Sequence, residues 1–110
     1  MPYIDPKDRP ALDHPIQALV GALSSGHEAG GTVGLYEAAG KLNYALTRVT
    51  LGVWHKIAGP KIKYPALAIL SGVLHHVSLE LYRRMAVPYE EGKIYDNGDV
   101  PEFAAFRDKP

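Results

Sequence analysis

The sequence predicts an all-α protein built on a hairpin of two long helices. Before the hairpin we expect a short N-terminal helix preceded by an extended arm, and after it an extended C-terminal strap. Three observations predict this fold: apolar residues recur at steps of three and four along two long segments, Gly59 and Pro60 separate those segments, and prolines lie at the segment boundaries. A chain of 110 residues is expected to form a single domain.

Residues 1–12 are predicted to form an irregular arm, because Pro2, Pro6 and Pro10 interrupt any regular structure there. The first helix is predicted to begin at Asp13, whose carboxylate is suited to capping free backbone N–H groups, with Pro15 in the first turn. It is expected to end near Leu23, before the Ser-Ser-Gly run at residues 24–26.

The second helix is predicted from Thr32, as its N-cap, to about Ile57. Its apolar stripe consists of Leu35, Ala39, Leu42, Leu46, Val49, Val53 and Ile57. Glycines within this segment weaken the helix, each by up to ~1 kcal/mol relative to alanine, so a start nearer Gly40 is an alternative. Gly59 and Pro60 should end this helix.

The third helix is predicted from Pro65 to about Met85, and Pro88 is expected to stop it because the residue before a proline avoids helical angles. Together the second and third helices would form an antiparallel hairpin roughly 30 Å long. The helical core would therefore span residues 13–87. The strap would span residues 88–110, with a tight turn at residues 96–99.

Both long helices carry apolar residues outside their main stripes. Tyr44 and Leu51 lie opposite the stripe of the second helix, and Ile69 and Leu79 lie off the stripe of the third. Such faces usually mark contacts, so these four residues are predicted to form the interface of a homo-oligomer. The alternative is that the arm and the strap of the same chain cover them.

The formal net charge is zero, but its distribution is uneven. Residues 41–84 carry seven bases against Glu80 alone, whereas the segments on either side are acidic. Either the acidic ends fold back on the basic middle, or the middle binds an anion such as a nucleotide. A nucleic-acid partner is disfavoured, because such proteins usually have a net basic charge.

Composition also excludes several classes of protein. The chain has no cysteine, so it has neither disulfides nor thiolate metal ligands. No apolar run reaches the ~20 residues that a membrane span requires, and the N-terminus lacks a signal-peptide pattern. We therefore expect a cytoplasmic protein with no membrane partner. No nucleotide-binding glycine motif is present and no cofactor is predicted.

The end of the third helix holds the residues that most resemble a binding site. One interpretation is that Arg83 and Arg84 pair with strap carboxylates, within a subunit or across an interface. The alternative is a site for a nucleotide-like anion. Its predicted residues are Tyr82, Arg83, Arg84, Tyr89 and Lys93.

A weaker alternative is a metal-dependent enzyme using His75, His76 and Glu80. His76 and Glu80 are four residues apart on one helix flank, but His75 points about 100° away from His76. The simpler interpretation is that His76, Glu80 and Arg83 are solvated side chains that interact along one flank of the helix. No catalytic residue and no metal ligand is therefore assigned.

Several short motifs resemble a family of short uncharacterised bacterial, archaeal and phage proteins. The matching residues are MPYI at 1–4, LNY at 42–44, ELYRR at 80–84, PYE at 88–90, KI at 93–94 and NGDV at 97–100. His75 stands where that family usually has glutamate, and residues 25–40 and the tail beyond Val100 look like additions. The resemblance implies an intracellular, often phage-encoded protein. Combined with the apolar faces, it leads us to expect a non-enzymatic, homo-oligomeric interaction protein.

Overall fold

The computed structural model describes residues 2–27 and 29–107, and every regular element among them is helical. A short 3-10 helix spans Pro6–Asp8. The α-helices are α1 (Pro10–Ser24), α2 (Gly31–Ala58), α3 (Tyr64–Leu81), α4 (Val87–Asn97) and α5 (Pro101–Arg107). A π-helical segment, Tyr82–Ala86, lies between α3 and α4. The predicted all-α class is therefore confirmed.

The chain divides into two compact units, Met1–Ser71 and Gly72–Pro110, and the boundary falls within α3. In the first unit α1 contacts both the 3-10 helix and the start of α2. The predicted hairpin is not confirmed, since α2 is not packed along the described residues of α3 in that unit. Whether the chain forms one domain remains a prediction.

The N-terminal arm is more regular than predicted. Asp5 accepts a hydrogen bond from the Lys7 backbone N–H at 3.0 Å and so caps the 3-10 helix. Helix α1 then begins at Pro10, three residues before the predicted start, because proline at the first helical position loses no hydrogen bond there. Pro15 consequently lies inside the helix.

The bounds predicted for the second helix are confirmed to within two residues, and its three internal glycines do not shorten it. Gly59 ends α2 as predicted: its φ of 84° lies in a region that favours glycine, and its N–H donates to the His55 carbonyl at 3.1 Å. Length and cooperative hydrogen bonding thus outweigh the low helix propensity of the glycines.

The prediction that Pro88 ends the third helix is wrong, and so is the prediction of an extended strap. The helical backbone continues through the π segment to Asn97, and α5 follows from Pro101. The Val87 N–H donates to the Tyr82 carbonyl, one residue further back than in an α-helix. This wider turn relieves the clash between a proline ring and the preceding turn. Gly98 then caps α4, so residues 96–99 do not form the predicted isolated turn.

The apolar stripe predicted for the second helix is exposed. Among the described residues no apolar side chain is buried, and the only buried residue is Gly34, at the start of α2. None of the helices in the described part of the chain is both long and apolar enough to cross a membrane.

Candidate functional site

A concave surface of the second unit lies on one face of the helix that runs from α3 through the π segment into α4. Its volume is 580 Å³. The lining residues are Ser78, Leu81, Tyr82, Met85, Ala86, Tyr89 and Glu90. We call this the tyrosine face. Apart from Ser78 and Glu90 its side chains are apolar or aromatic, which is typical of a surface that contacts a partner.

The structure brings only part of the predicted anion site together. Tyr82 and Tyr89 line the tyrosine face, and the Lys93 ammonium lies 5.5 Å from the centre of the Tyr89 ring, within the range of a cation–π contact. Neither Arg83 nor Arg84 lines this surface, whereas the Glu90 carboxylate does. A carboxylate beside the tyrosines disfavours an anion, so anion binding remains a prediction without added support.

Arg83 has its ion pair within its own helix. Its Nε donates to Glu80 Oε1 at 2.6 Å, three residues earlier, and the Glu80 side chain is 18% exposed. No carboxylate lies within 4.0 Å of Arg84 among the described residues, and Glu90, Glu91 and Asp96 form no ion pair there. The predicted pairing of these three strap acids with the arginines is absent from this part of the chain. The reason is that residues 88–97 continue the helix instead of folding back.

His75 and His76, the histidines of the metal hypothesis, lie next to each other, and the described residues supply no complete set of metal ligands around them. The rings of His75 and His76 are 6.3 Å apart and tilted by 43°. Glu80, the third residue of that hypothesis, is the partner of Arg83. Among the described residues no group of three or more His, Cys, Asp or Glu side chains could hold a metal ion. The metal-dependent hypothesis therefore gains no support.

The four predicted interface residues, Tyr44, Leu51, Ile69 and Leu79, are all exposed. Tyr44 has a local contact, since Arg48 Nη1 donates to its hydroxyl at 3.1 Å and the guanidinium lies 5.8 Å from the ring centre. Leu51 lines a second concave surface, of 530 Å³, where α2 ends. Their role in an interface remains a prediction.

That second surface contains a residue that sequence reasoning missed. Trp54, the only tryptophan of the chain, is half-buried beside Leu51, Ile62 and Leu67. The signal was available, because Trp54 stands little more than one helical turn before Gly59 and its large ring can reach the loop that follows. The surface belongs to the first unit and is predominantly apolar.

The chain belongs to the family described as a domain of unknown function (DUF6899), whose model matches residues 1–100. Residues 101–110 lie outside the match. No curated protein and no solved structure matches the chain significantly.

Proposed function

We propose that this member of the DUF6899 family is the subunit of a non-enzymatic homo-oligomer, in which the exposed apolar faces of its helices bury against other copies. One observation carries the proposal: the long helices have continuous apolar stripes, yet no apolar side chain is buried among the described residues. Apolar area in water costs about 25 cal/mol per Å², so such stripes favour association.

Within such an assembly, α2 and α3 would pack as the predicted antiparallel hairpin, joined by residues 59–63. The second apolar side of the hairpin, with Tyr44, Leu51, Ile69 and Leu79, would then meet neighbouring subunits. The exposure of these four side chains supports that arrangement. A role in a phage or bacterial cytoplasm is implied by the family resemblance alone.

The test is the mass of the protein in solution. Light scattering and native mass spectrometry at micromolar concentration are expected to give a multiple of 12.0 kDa. The double substitution Leu51→Ser with Ile69→Ser is expected to shift the assembly toward smaller species, because it places hydroxyls in an apolar contact. Tyr95→Ser is the matched control: Tyr95 is 90% exposed and lies outside the predicted interface.

A monomer of the unaltered chain would refute the proposal. A fully retained mass in the double variant would refute the assignment of these two residues. The helical circular dichroism of every variant is recorded at the same concentration, since the stability of an oligomer depends on protomer concentration.

A further inference from the structure

We propose that the second concave surface, where α2 ends, binds a small organic acid with an apolar body. The hydrocarbon part would lie against Trp54, and the acid group would lie beside Lys61. The inference goes beyond the proposed homo-oligomer, because it concerns a ligand site formed within the first unit of a single chain. We call this site the tryptophan surface, and the residues that carry the argument are Leu51, Trp54, His55, Lys61, Ile62 and Leu67.

The tryptophan surface is formed where the chain turns after α2. Gly59, with its φ of 84°, takes the backbone out of the helix, and residues 60–62 then line the same surface as the last turns of α2. Leu67 lines it from the start of α3, where its N–H donates to the Lys63 carbonyl at 3.0 Å. The volume of 530 Å³ lies within the range of small-molecule sites, about 300–1,000 Å³.

Most of the lining is apolar and leaves area for a ligand to cover. The Trp54 side chain is half-buried and offers a large aromatic surface. Around it, Leu51, Ile62 and Leu67 are 56%, 87% and 47% exposed. Because removing this apolar area from water is favourable, the surface fits a ligand whose body is a hydrocarbon chain or an aromatic ring.

The charge of the tryptophan surface selects an acid among apolar ligands. Its two ionisable side chains, His55 and Lys61, are both basic, and no carboxylate is among its lining residues in the described part of the chain. Within residues 2–27 and 29–107, Lys61 forms no ion pair. Residues 38–79 contain five lysine and arginine residues and no acid. An anionic head group would therefore meet a positive potential with no competing carboxylate.

Lys61 is the base that is best placed to hold the acid group. His55 and Lys56 lie in the last turn of α2, where cations stabilise the negative end of a helix. That effect falls off within the last turn, and Lys61 follows Ala58, the last residue of α2, by three residues. Its ammonium carries three N–H donors on a flexible side chain, so it can adjust to a carboxylate at the edge of the apolar surface.

A nucleotide fits the tryptophan surface less well than an apolar acid does. A base could stack on the Trp54 ring, as bases do on aromatic side chains. The ribose and phosphates would however place many polar groups against Leu51, Ile62 and Leu67. Polar groups that lose water without gaining hydrogen bonds weaken binding, so the apolar lining favours a ligand with a single charged end.

The only tryptophan of the chain makes the inference directly measurable, because the emission of Trp54 reports on its own surface. The full-length protein is titrated with decanoate below its micelle-forming concentration, with excitation where tyrosine does not absorb. We expect a saturable blue shift that corresponds to one decanoate per chain. Octanoate should bind more weakly, by about two- to fourfold for each methylene removed. Decyltrimethylammonium, with the same hydrocarbon chain and a cationic head group, should bind more weakly than decanoate.

Substitution of Lys61 tests the charge. Lys61→Gln is expected to weaken decanoate binding by about three- to fivefold, and to leave decyltrimethylammonium binding no weaker. Lys63→Gln is the matched control, because it makes the same change in the same loop at a residue that does not line the surface. It should weaken decanoate binding by less than about twofold. Leu51 also belongs to the predicted subunit interface, so it is left unaltered. Circular dichroism establishes that each variant is folded.

Four results would overturn the proposal. The first is the lack of any saturable change in Trp54 emission with decanoate. The second is an equal loss of decanoate binding in Lys61→Gln and Lys63→Gln, which would remove the assignment of the acid group to Lys61. The third is a response to adenosine monophosphate without one to decanoate, which would make a nucleotide the ligand.

The fourth result concerns access to the surface. Failure of acrylamide to quench Trp54 before any ligand is added would show that a neighbouring copy, or another segment of the chain, already covers it. Light scattering on the same samples decides the proposed homo-oligomer separately. A monomeric mass with saturable decanoate binding would refute the oligomer alone, and an oligomeric mass without decanoate binding would refute the ligand site alone.

Discussion

Pro60 and Pro88 each follow a long helical segment. The helix ends before Pro60 but continues through Pro88. Before Pro60, Gly59 adopts a φ of 84° and the backbone leaves α2. Before Pro88, Val87 keeps helical angles, φ −62° and ψ −51°, although this conformation is disfavoured before a proline. The comparison teaches that proline ends a helix here only when the residue before it offers an alternative backbone conformation.

The π segment explains how the second proline is accommodated. A proline in a helix loses its own hydrogen bond and clashes with the carbonyl four residues earlier, which for Pro88 is the carbonyl of Arg84. Moving the hydrogen bond of Val87 back to Tyr82 widens the turn in this region. Helix α4 can then continue to Gly98, whose N–H donates to the Ile94 carbonyl at 2.8 Å.

The largest effect is expected from Pro88→Ala. Removing the ring restores the N–H of residue 88 and makes the wider π turn unnecessary, so the free energy of unfolding should rise by up to ~3 kcal/mol, measured by urea denaturation at fixed protein concentration. The hydrogen bond from Val87 should move to Arg83. Pro60→Ala, outside any helix, is the control and should destabilise by no more than ~1 kcal/mol. A fall in stability for Pro88→Ala would contradict the account of the π segment.

The second largest change in stability is expected at Gly59, where α2 ends. Gly59→Ala places a Cβ where φ is 84° and ψ is −178°, which should cost about 1–3 kcal/mol of unfolding free energy. The matched control is Gly52→Ala in the middle of α2, where an added Cβ meets nothing within 4 Å. That control should stabilise by up to ~1 kcal/mol, so opposite signs for the two glycines are the expected result.

Val87→Gly places a glycine before Pro88, as Gly59 stands before Pro60. It gives Pro88 a preceding glycine and removes a residue that favours extended or helical backbone over left-handed conformations. We expect a loss of about 1 kcal/mol and a lower helical signal as α4 frays from its start. Unchanged circular dichroism would mean that contacts beyond the backbone hold α4 in place.

The smallest effect is expected from Glu80→Gln, which removes the ion pair with Arg83, a residue of the π segment. Pairs of this spacing on an exposed helix surface contribute about 0.3–0.5 kcal/mol, and the contribution should diminish with added salt. Thermal unfolding in low and high salt measures it. A loss that does not diminish with added salt would contradict an electrostatic origin for this contribution.

Sequence reasoning located α2 accurately because its boundaries are local: an apolar repeat, and a glycine before a proline. It missed the start of α1 and the continuation past Pro88, since both depend on how a proline is tolerated. Tyr82 and Tyr89, two residues of the predicted anion site, line one concave surface, and their role in binding stays a prediction. It wrongly paired Glu90, Glu91 and Asp96 with the arginines, because that pairing required the chain to fold back after residue 88.

By itself the sequence determined that this protein is helical, where α2 ends, and which helix faces are apolar, because these properties follow from neighbouring residues along one chain. Only the tertiary structure decided that Pro88 lies within a helix and that Glu90 shares a face with Ser78. The physical reason is that a π turn depends on which carbonyl accepts one N–H. Hydrogen-bond partners with nearly equal energies leave no trace in periodicity or composition.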